Sequence, residues 1–386
     1  MGGTGPGRFG AEELPPGRRV TMSTRSNAAG TDPGRPRGAQ GDPAPVVPGN
    51  MVMRHRNTAI LSVTAVDAPI VATSASFDEQ LAATYARTGV RPGMLSEVAG
   101  ILERRWWPTD VSFADAAAMA GAKAIAESGV DPRRIGLLID SSVCRDHLEP
   151  SKAVAVHHQL GLSTGCLAFD LSNACLGFVN AMQLAATMID AGQVDYALVV
   201  DGEGSRGIQE LTLERLSGPD ATAEDLAEQF ASLTLGSGGA AMVLGPADRH
   251  PEGHQLVGGA SRTATEHHGL CVGTLEHMRT DSRALFAAGV QLSIDLWREA
   301  TGEFDWSGID RYISHQVSRV HMAAICRALG IDPALSPSTF PTRGNMGPAA
   351  VPSTLAMEAG NLHPGQRVLL MGIGSGLSAS ALEIVW

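Results

Sequence analysis

Cysteine is scarce and odd in number. Five occur in 386 residues, Cys144, Cys166, Cys175, Cys271 and Cys326, and none forms a C-x-x-C pair. A disulfide framework and a structural zinc site are thereby disfavoured, and reduced thiols in a cytoplasm are the expectation. Basic charge is also short. Twenty-nine Lys and Arg against forty Asp and Glu give a net charge of −11. General nucleic-acid binding needs a basic face and is excluded on that ground, although a local basic patch for a phosphorylated carrier or coenzyme is not. No apolar run reaches the roughly 18 residues of a membrane span, so any lipid contact runs through a cavity or a surface. Aromatic residues make up only 4% of the chain, whereas glycine occurs 45 times. That balance suits an α/β protein with tight turns and close helix–sheet packing, and the length suits two core-forming halves.

Residues 1–52 are rich in Gly, Pro, Arg, Ser and Thr, lack apolar periodicity and are expected to be a disordered tail. Arg18 and Arg19 invite a twin-arginine reading, but no apolar stretch follows them. Met22, Met51 and Met53 are alternative starts. Order is expected from about Asn57. The first half, 53–248, alternates strand and helix: strand-like TAILSVTAVDAP, a mostly helical 76–102, a serine-capped helix over 112–129, an apolar strand over 134–143, a helix over 176–192 and a buried strand over 195–203. The second half, 249–386, echoes it with a strand at 254–265, helices at 281–302 and 317–330, a short strand at 309–316, a helix at 354–362 and a final strand–turn–strand at 367–386. The similar element order suggests an internal duplication.

Four features carry possible chemistry. Cys175 lies in SNACLGF, at the mouth of a helix, where the macrodipole and free N–H groups would lower a thiol pKa; the plain alternative is a buried structural cysteine. His315, in YISHQVSRVH, ends a short strand just before a helix and could hydrogen-bond a carbonyl or move a proton. His321, on that helix, reads as surface or packing. Asn345, in RGNMGPAAVP, sits in a Gly/Pro turn that would fix its amide, a neutral donor for an oxyanion or simply a turn asparagine. The terminal MGIGSGLSAS lacks the crossover unit of a dinucleotide site and reads as a tight turn whose N–H groups approach a ligand.

Taken together, Cys175, His315, Asn345 and the Gly-Ser-Gly turn resemble the thiolase superfamily over residues 57–386, and within it the 3-oxoacyl-ACP synthase III branch. The resemblance implies a five-layered αβαβα sandwich of two duplicated halves and an obligate dimer. It implies a Cys175 thioester, one oxyanion hole from His315 and Asn345, and another from the backbone N–H groups of Cys175 and Ser375. The loop SSVCRDHLEPSKA, with SNACLGFVNAM, DYALVVDGE, RTATE, HQVS and GNMGPAAVP, further resembles the OleA-type enzymes, which condense two long-chain acyl-CoA molecules head to head for olefin biosynthesis. In that family the glutamate of this loop reaches into the partner's active site, and Glu149 stands in its position. A condensation without loss of CO₂ needs a base for the α-proton, and a carboxylate in a dry cavity is a stronger base than in water.

The implied reaction is a non-decarboxylative Claisen condensation of two acyl-CoA thioesters to a 2-alkyl-3-oxoacyl product, for olefin or β-lactone biosynthesis. No metal or redox cofactor is called for. Three alternatives stay open: a decarboxylating synthase with a malonyl donor, a subunit of a heterodimer whose homologous partner supplies the glutamate, and a non-catalytic partner subunit. Segments 270–278 and 176–188 are candidate linings for two acyl channels. Arg104 and Arg105 are candidates for the coenzyme phosphates, or a plain surface pair.

Overall fold

In the computed structural model, residues 49–386 are described. They hold fourteen strands: β1 (Met51–Arg54), β2 (Thr58–Asp67), β3 (Ile70–Thr73), β4 (Glu103–Trp106), β5 (Ile135–Asp140), β6 (Leu167–Asp170), β7 (Tyr196–Glu203), β8 (Gly238–Pro246), β9 (His254–Thr263), β10 (Cys271–Gly273), β11 (Met278–Thr280), β12 (Arg311–Ser314), β13 (Arg367–Gly374) and β14 (Ser378–Val385). Most of the expected tail lies outside the described residues, but its last part does not. Met51–Arg54 pair antiparallel with β9, so the folded body begins before Asn57.

The duplication is visible in the pairing sense. In the first half β5 and β7 are parallel, then β7–β8 and β8–β2 are antiparallel. In the second half β12 and β13 are parallel, then β13–β14 and β14–β9 are antiparallel. β6 extends only the first half, parallel to β5, and its far edge is unpaired among the described residues. The two sheets are not separate. They join where β2 meets β9, through Ala59 with Gln255 and Ile60 with His254, so that one ten-stranded sheet runs from β12 to β6 with β1 attached.

Helices cover this sheet in three layers. Gly177–Asp190 and Ala350–Glu358 lie between the two halves, where Phe178, Met182 and Leu355 share one fully buried cluster with Leu137, Val199 and Leu370 from strands of both halves. Such a middle layer is enclosed largely by apolar neighbours, and the polar row on Gly177–Asp190, Asn180 with Gln183 and Thr187, is taken up in hydrogen bonds. Phe113–Ser128 packs outside the first half. Ser282–Ala300 and Arg319–Leu329 pack outside the second. The richness in Ala and Gly has a direct use here. A Cβ on Gly202 would meet the carbonyl oxygen of Phe113 at 2.3 Å, so the Ala-rich helix can lie on β7 only because that residue has none.

The segment 76–102 is mostly helical, as expected, but in three short pieces. They are Ser74–Gln80, Ala82–Thr88 and a π-helical turn over Met94–Val98, with Gly89 and Gly93, both in the left-handed region, between the last two. Residues after them turn back to form β4 against β3. Among the described residues no helix is long and apolar enough to cross a membrane.

Candidate active site

Cys175 sits on the turn between β6 and the helix Gly177–Asp190. The turn is closed by Leu176 N–H donating to Asn173 (3.0 Å) and Gly177 N–H donating to Ala174 (3.1 Å). Ala174 has φ of 45°, in the left-handed region that costs a residue with a side chain roughly 1–2 kcal/mol. The bend puts Cys175 at the tip of a tight elbow. A chain of side-chain amides holds it: Asn173 donates to Asn180 (2.7 Å), Asn180 to Gln183 (3.1 Å), and Gln183 to Ser380 on β14 (3.4 Å). The nucleophile turn is therefore tied to the second half of the sheet.

His315 follows β12 directly, and its N–H donates to Met371 on β13 (2.7 Å). Gln316 locks the corner beside it, donating to Ser314 (2.8 Å) and accepting from Thr339 N–H (2.9 Å). The imidazole is buried, and its Nδ1 has no partner among the described residues. Burial, helped by nearby His321, pulls its pKa down to about 4. It is thus a neutral hydrogen-bonding group at physiological pH.

Asn345 lies in a turn anchored to the first half. Its N–H donates to Thr234 (2.9 Å), and its carbonyl accepts from Gly236 N–H (2.8 Å). Its side-chain oxygen accepts from Gly347 N–H (3.0 Å), leaving the amide NH₂ free. Ser375 occupies the turn between β13 and β14. Neither its N–H nor that of Cys175 donates to a backbone carbonyl of the described residues. The two turns can approach because residue 374 is glycine: a Cβ there would stand 2.9 Å from the carbonyl oxygen of Asn173.

Cys175, His315, Asn345 and Ser375 line one cavity, with about 1250 Å³ of empty space that is partly open to solvent. Its other walls are largely apolar and include Leu285, Phe286, Val290, Trp297, Ile325 and Met371. Such a cavity suits an aliphatic chain leading to a polar reaction centre. Of the two expected linings, Cys271 and Met278 from 270–278 do face it. No residue of 176–188 does, because that helix is in the middle layer, with Met182 wholly enclosed there.

The expectation of a lowered thiol pKa is overturned. Burial pushes Cys175 up to about 12, with the charge of Glu203 the next cause. Leaving water outweighs the helix N-terminus, which starts only at Gly177. The resting nucleophile is a thiol. His321 also departs from expectation: it is in the cavity wall, its Nδ1 2.8 Å from Ser318 Oγ and its ring edge-on to Phe286, and burial lowers its pKa to about 4.

Neither arginine lines this cavity. Arg104 is completely buried. Its guanidinium donates to Ala72 (3.2 Å), Ser74 (3.0 Å) and Leu233 (3.0 Å) and stacks on Phe77. No coenzyme phosphate can reach it. Arg105 is half-buried and paired with Glu103 at 3.1 Å. Its place on β4 follows the pleat: it points to the face opposite Arg104.

Glu149 does not line the cavity of its own chain. It stands on an exposed arm with Leu148, which is 92% exposed. Beneath the arm lies a buried ionic cluster that the motifs did not reveal: Asp140, Lys152, Asp201 and Glu203. The signal was present in DYALVVDGE, where two carboxylates end a strand buried along its whole length.

Comparison with known proteins agrees with this geometry. The 3-oxoacyl-[acyl-carrier-protein] synthase III family matches residues 169–213, and its C-terminal counterpart matches residues 300–386. The chain is 44% identical over 338 residues to an acyl-CoA:acyl-CoA alkyltransferase of Xanthomonas campestris pv. campestris, covering 86% of this chain and 100% of that one. It is 36% identical to an acyl-CoA:acyl-CoA alkyltransferase of Shewanella oneidensis, covering 83% and 96%. A crystal structure of Xanthomonas campestris OleA with bound lauric acid and lauroyl-CoA matches with a TM-score of 0.85 at 44% identity, covering 86% of this chain and 100% of that one.

Proposed function

Because the chain belongs to the OleA-type acyl-CoA:acyl-CoA alkyltransferases of the thiolase superfamily, we propose that it joins two long-chain acyl-CoA molecules by a non-decarboxylative Claisen condensation. The observation that carries this reading is the convergence of Cys175, His315, Asn345 and Ser375 on one apolar cavity.

The Cys175 sulfur attacks the first acyl-CoA, and CoA departs with the thiol proton. The thioester oxygen rests against the free N–H groups of Cys175 and Ser375. A second acyl-CoA then loses its α-proton to a carboxylate. Glu149 of a second copy of this chain is that base, and the enolate oxygen is held by the Asn345 amide and the neutral His315 ring. The enolate carbon attacks the thioester, and the released Cys175 sulfur recovers a proton from Glu149. The product is a 2-alkyl-3-oxoacyl-CoA, the kind of compound that olefin or β-lactone biosynthesis would consume.

Two features support the second copy. Among the described residues the outer edge of β6 has no partner strand and Leu167 there is half exposed, and open edges of this kind pair readily with another chain. The arm from residue 145 to 151 leaves the body close to that edge, since Arg145 lies 3.6 Å from Asp170 at the end of β6.

The test uses the purified protein, lauroyl-CoA and no malonyl donor, with mass spectrometry for the β-keto acid or its decarboxylated ketone. Cys175→Ala and Glu149→Ala run beside it. Ketone from the unaltered protein, lost in both variants, is the expected result. A Cys175 acyl adduct with no ketone until a malonyl donor is added would replace the reading by a decarboxylating synthase. Ketone only on adding a homologous subunit would make it half of a heterodimer.

A further inference from the structure

The arm that carries Glu149 has a tip and two feet, and they differ sharply. From Asp146 to Pro150 the tip is exposed. The feet are pinned to each other by buried charge. At the first foot Ser142 N–H donates to Asp140 (2.9 Å), and Ser141 Oγ donates to Asp201 (2.5 Å). At the second, the Lys152 ammonium donates to Ser142 Oγ (2.5 Å) and to the Gly202 carbonyl (3.2 Å), with Asp140 at 3.4 Å. Asp170 accepts the N–H groups of Lys152 (3.0 Å) and Ala153 (2.8 Å), capping the helix that follows.

Close before the tip the main chain is held by Glu203, beside a Cys144 Sγ contact to the Gly204 carbonyl (3.3 Å) and the Arg145–Asp170 pair (3.6 Å). Glu203 Oε1 accepts from Val143 N–H at 2.6 Å and also faces Cys144 N–H at 3.4 Å. It is 6% exposed and belongs to β7, a strand buried along its length and held on both sides by the sheet. It makes no hydrogen bond to Cys175, His315 or Asn345, and it does not line the cavity. A buried carboxylate aimed at two main-chain N–H groups of a loop has one evident use, which is to fix where that loop departs.

We propose that Glu203 is a positioning residue for the Glu149 arm, setting its reach toward the active site of a second copy of the chain. The inference rests on the reading of Glu149 as a base supplied in trans. It predicts that the loss of condensation caused by a defect at Glu203 is felt in the neighbouring site.

The test is a set of hybrid dimers made by co-expressing two differently tagged chains, assayed with lauroyl-CoA for the Cys175 acyl-enzyme and for ketone. Glu203→Ala alone is expected to lose ketone by roughly a hundredfold, the loss typical of a 1 Å misplacement, while acyl-enzyme formation is not slowed, since the carboxylate charge that helps to raise the Cys175 thiol pKa is gone. Glu203→Gln keeps an acceptor oxygen and should restore ketone. In a hybrid of Glu203→Ala with Cys175→Ala, the one remaining nucleophile is served by an intact arm, so ketone should return. A hybrid that stays inactive, or a Glu203→Gln variant as impaired as Glu203→Ala, would overturn the proposal. Glu149→Ala paired with Cys175→Ala separates the two levels: if that hybrid makes no ketone, the trans-base reading itself falls. Should Glu203→Ala not fold, Glu203→Asp takes its place in the same hybrid, since it keeps the carboxylate and draws the arm's foot back by one methylene.

Discussion

The side-chain oxygen of Asn345 accepts the Gly347 N–H at 3.0 Å, so the end of the amide left for the cavity is its NH₂. The turn selects a donor, and a donor is what an enolate oxygen needs. Asn345→Ala should therefore lower the condensation rate by roughly 10²–10³, the usual cost of losing one oxyanion donor. Formation of the Cys175 acyl-enzyme, which uses the other hole, should be spared. Rapid-quench mass spectrometry separates the two steps.

The raised thiol and the lowered imidazole set the pH behaviour. With Cys175 pushed up to about 12, alkylation of the resting enzyme by iodoacetamide should climb steadily from pH 7 to 10 without a plateau. With His315 at about 4, its neutral form persists far below the ordinary 6.5. The acid limb it imposes on condensation should accordingly lie nearer pH 4 than 6.5. A limb at 6.5 would mean that the ring is solvated in the working enzyme.

His315 and His321 also bear on stability. Both have folded pKa values below the unfolded one, so the unfolded chain binds more protons between them. Their contribution is full above pH 6.5 and is lost as the pH falls toward 4. Urea midpoints between pH 7 and 4.5 should fall, and His321→Phe should flatten part of that slope.

Arg104→Ala should act on the fold and not on coenzyme binding. It removes three hydrogen bonds and leaves their buried acceptors unmet, a loss of roughly 2–4 kcal/mol. The KM for lauroyl-CoA should be unchanged in the folded fraction. A raised KM with an unchanged urea midpoint would restore the coenzyme role.

Gly289 lies on the cavity wall, and a Cβ there would come within 3.0 Å of the Ile373 side chain. Gly289→Val narrows the cavity at that point. Turnover should shift toward shorter acyl chains, read from a series of acyl-CoA lengths.

What could be read in the chain, and what could not, divides along a physical line. The elements of the site announce themselves locally. An apolar strand, a small-residue turn and a helix surround Cys175, a strand end precedes His315, and glycines and prolines bracket Asn345. Properties that depend on enclosure do not announce themselves. The thiol pKa, the burial of Arg104 and the position of His321 in the cavity wall follow from which faces are covered, and pattern alone does not say that. The helical character of 76–102 was legible, and Gly89 and Gly93 mark where its pieces part. The ionic cluster beneath the arm joins residues from three separated stretches, of which only the two carboxylates ending DYALVVDGE hinted at it.

The seam between β2 and β9 has a consequence for descent as well as for shape. Cys175 comes from one repeat, while His315, Asn345 and Ser375 come from the other. A single repeat of this kind carries half a catalyst, so its forerunner could have worked only as a pair. Fusing the two copies into one chain makes their meeting intramolecular, so the nucleophile and both sets of oxyanion donors come together at any protein concentration, and only the base still depends on a second chain.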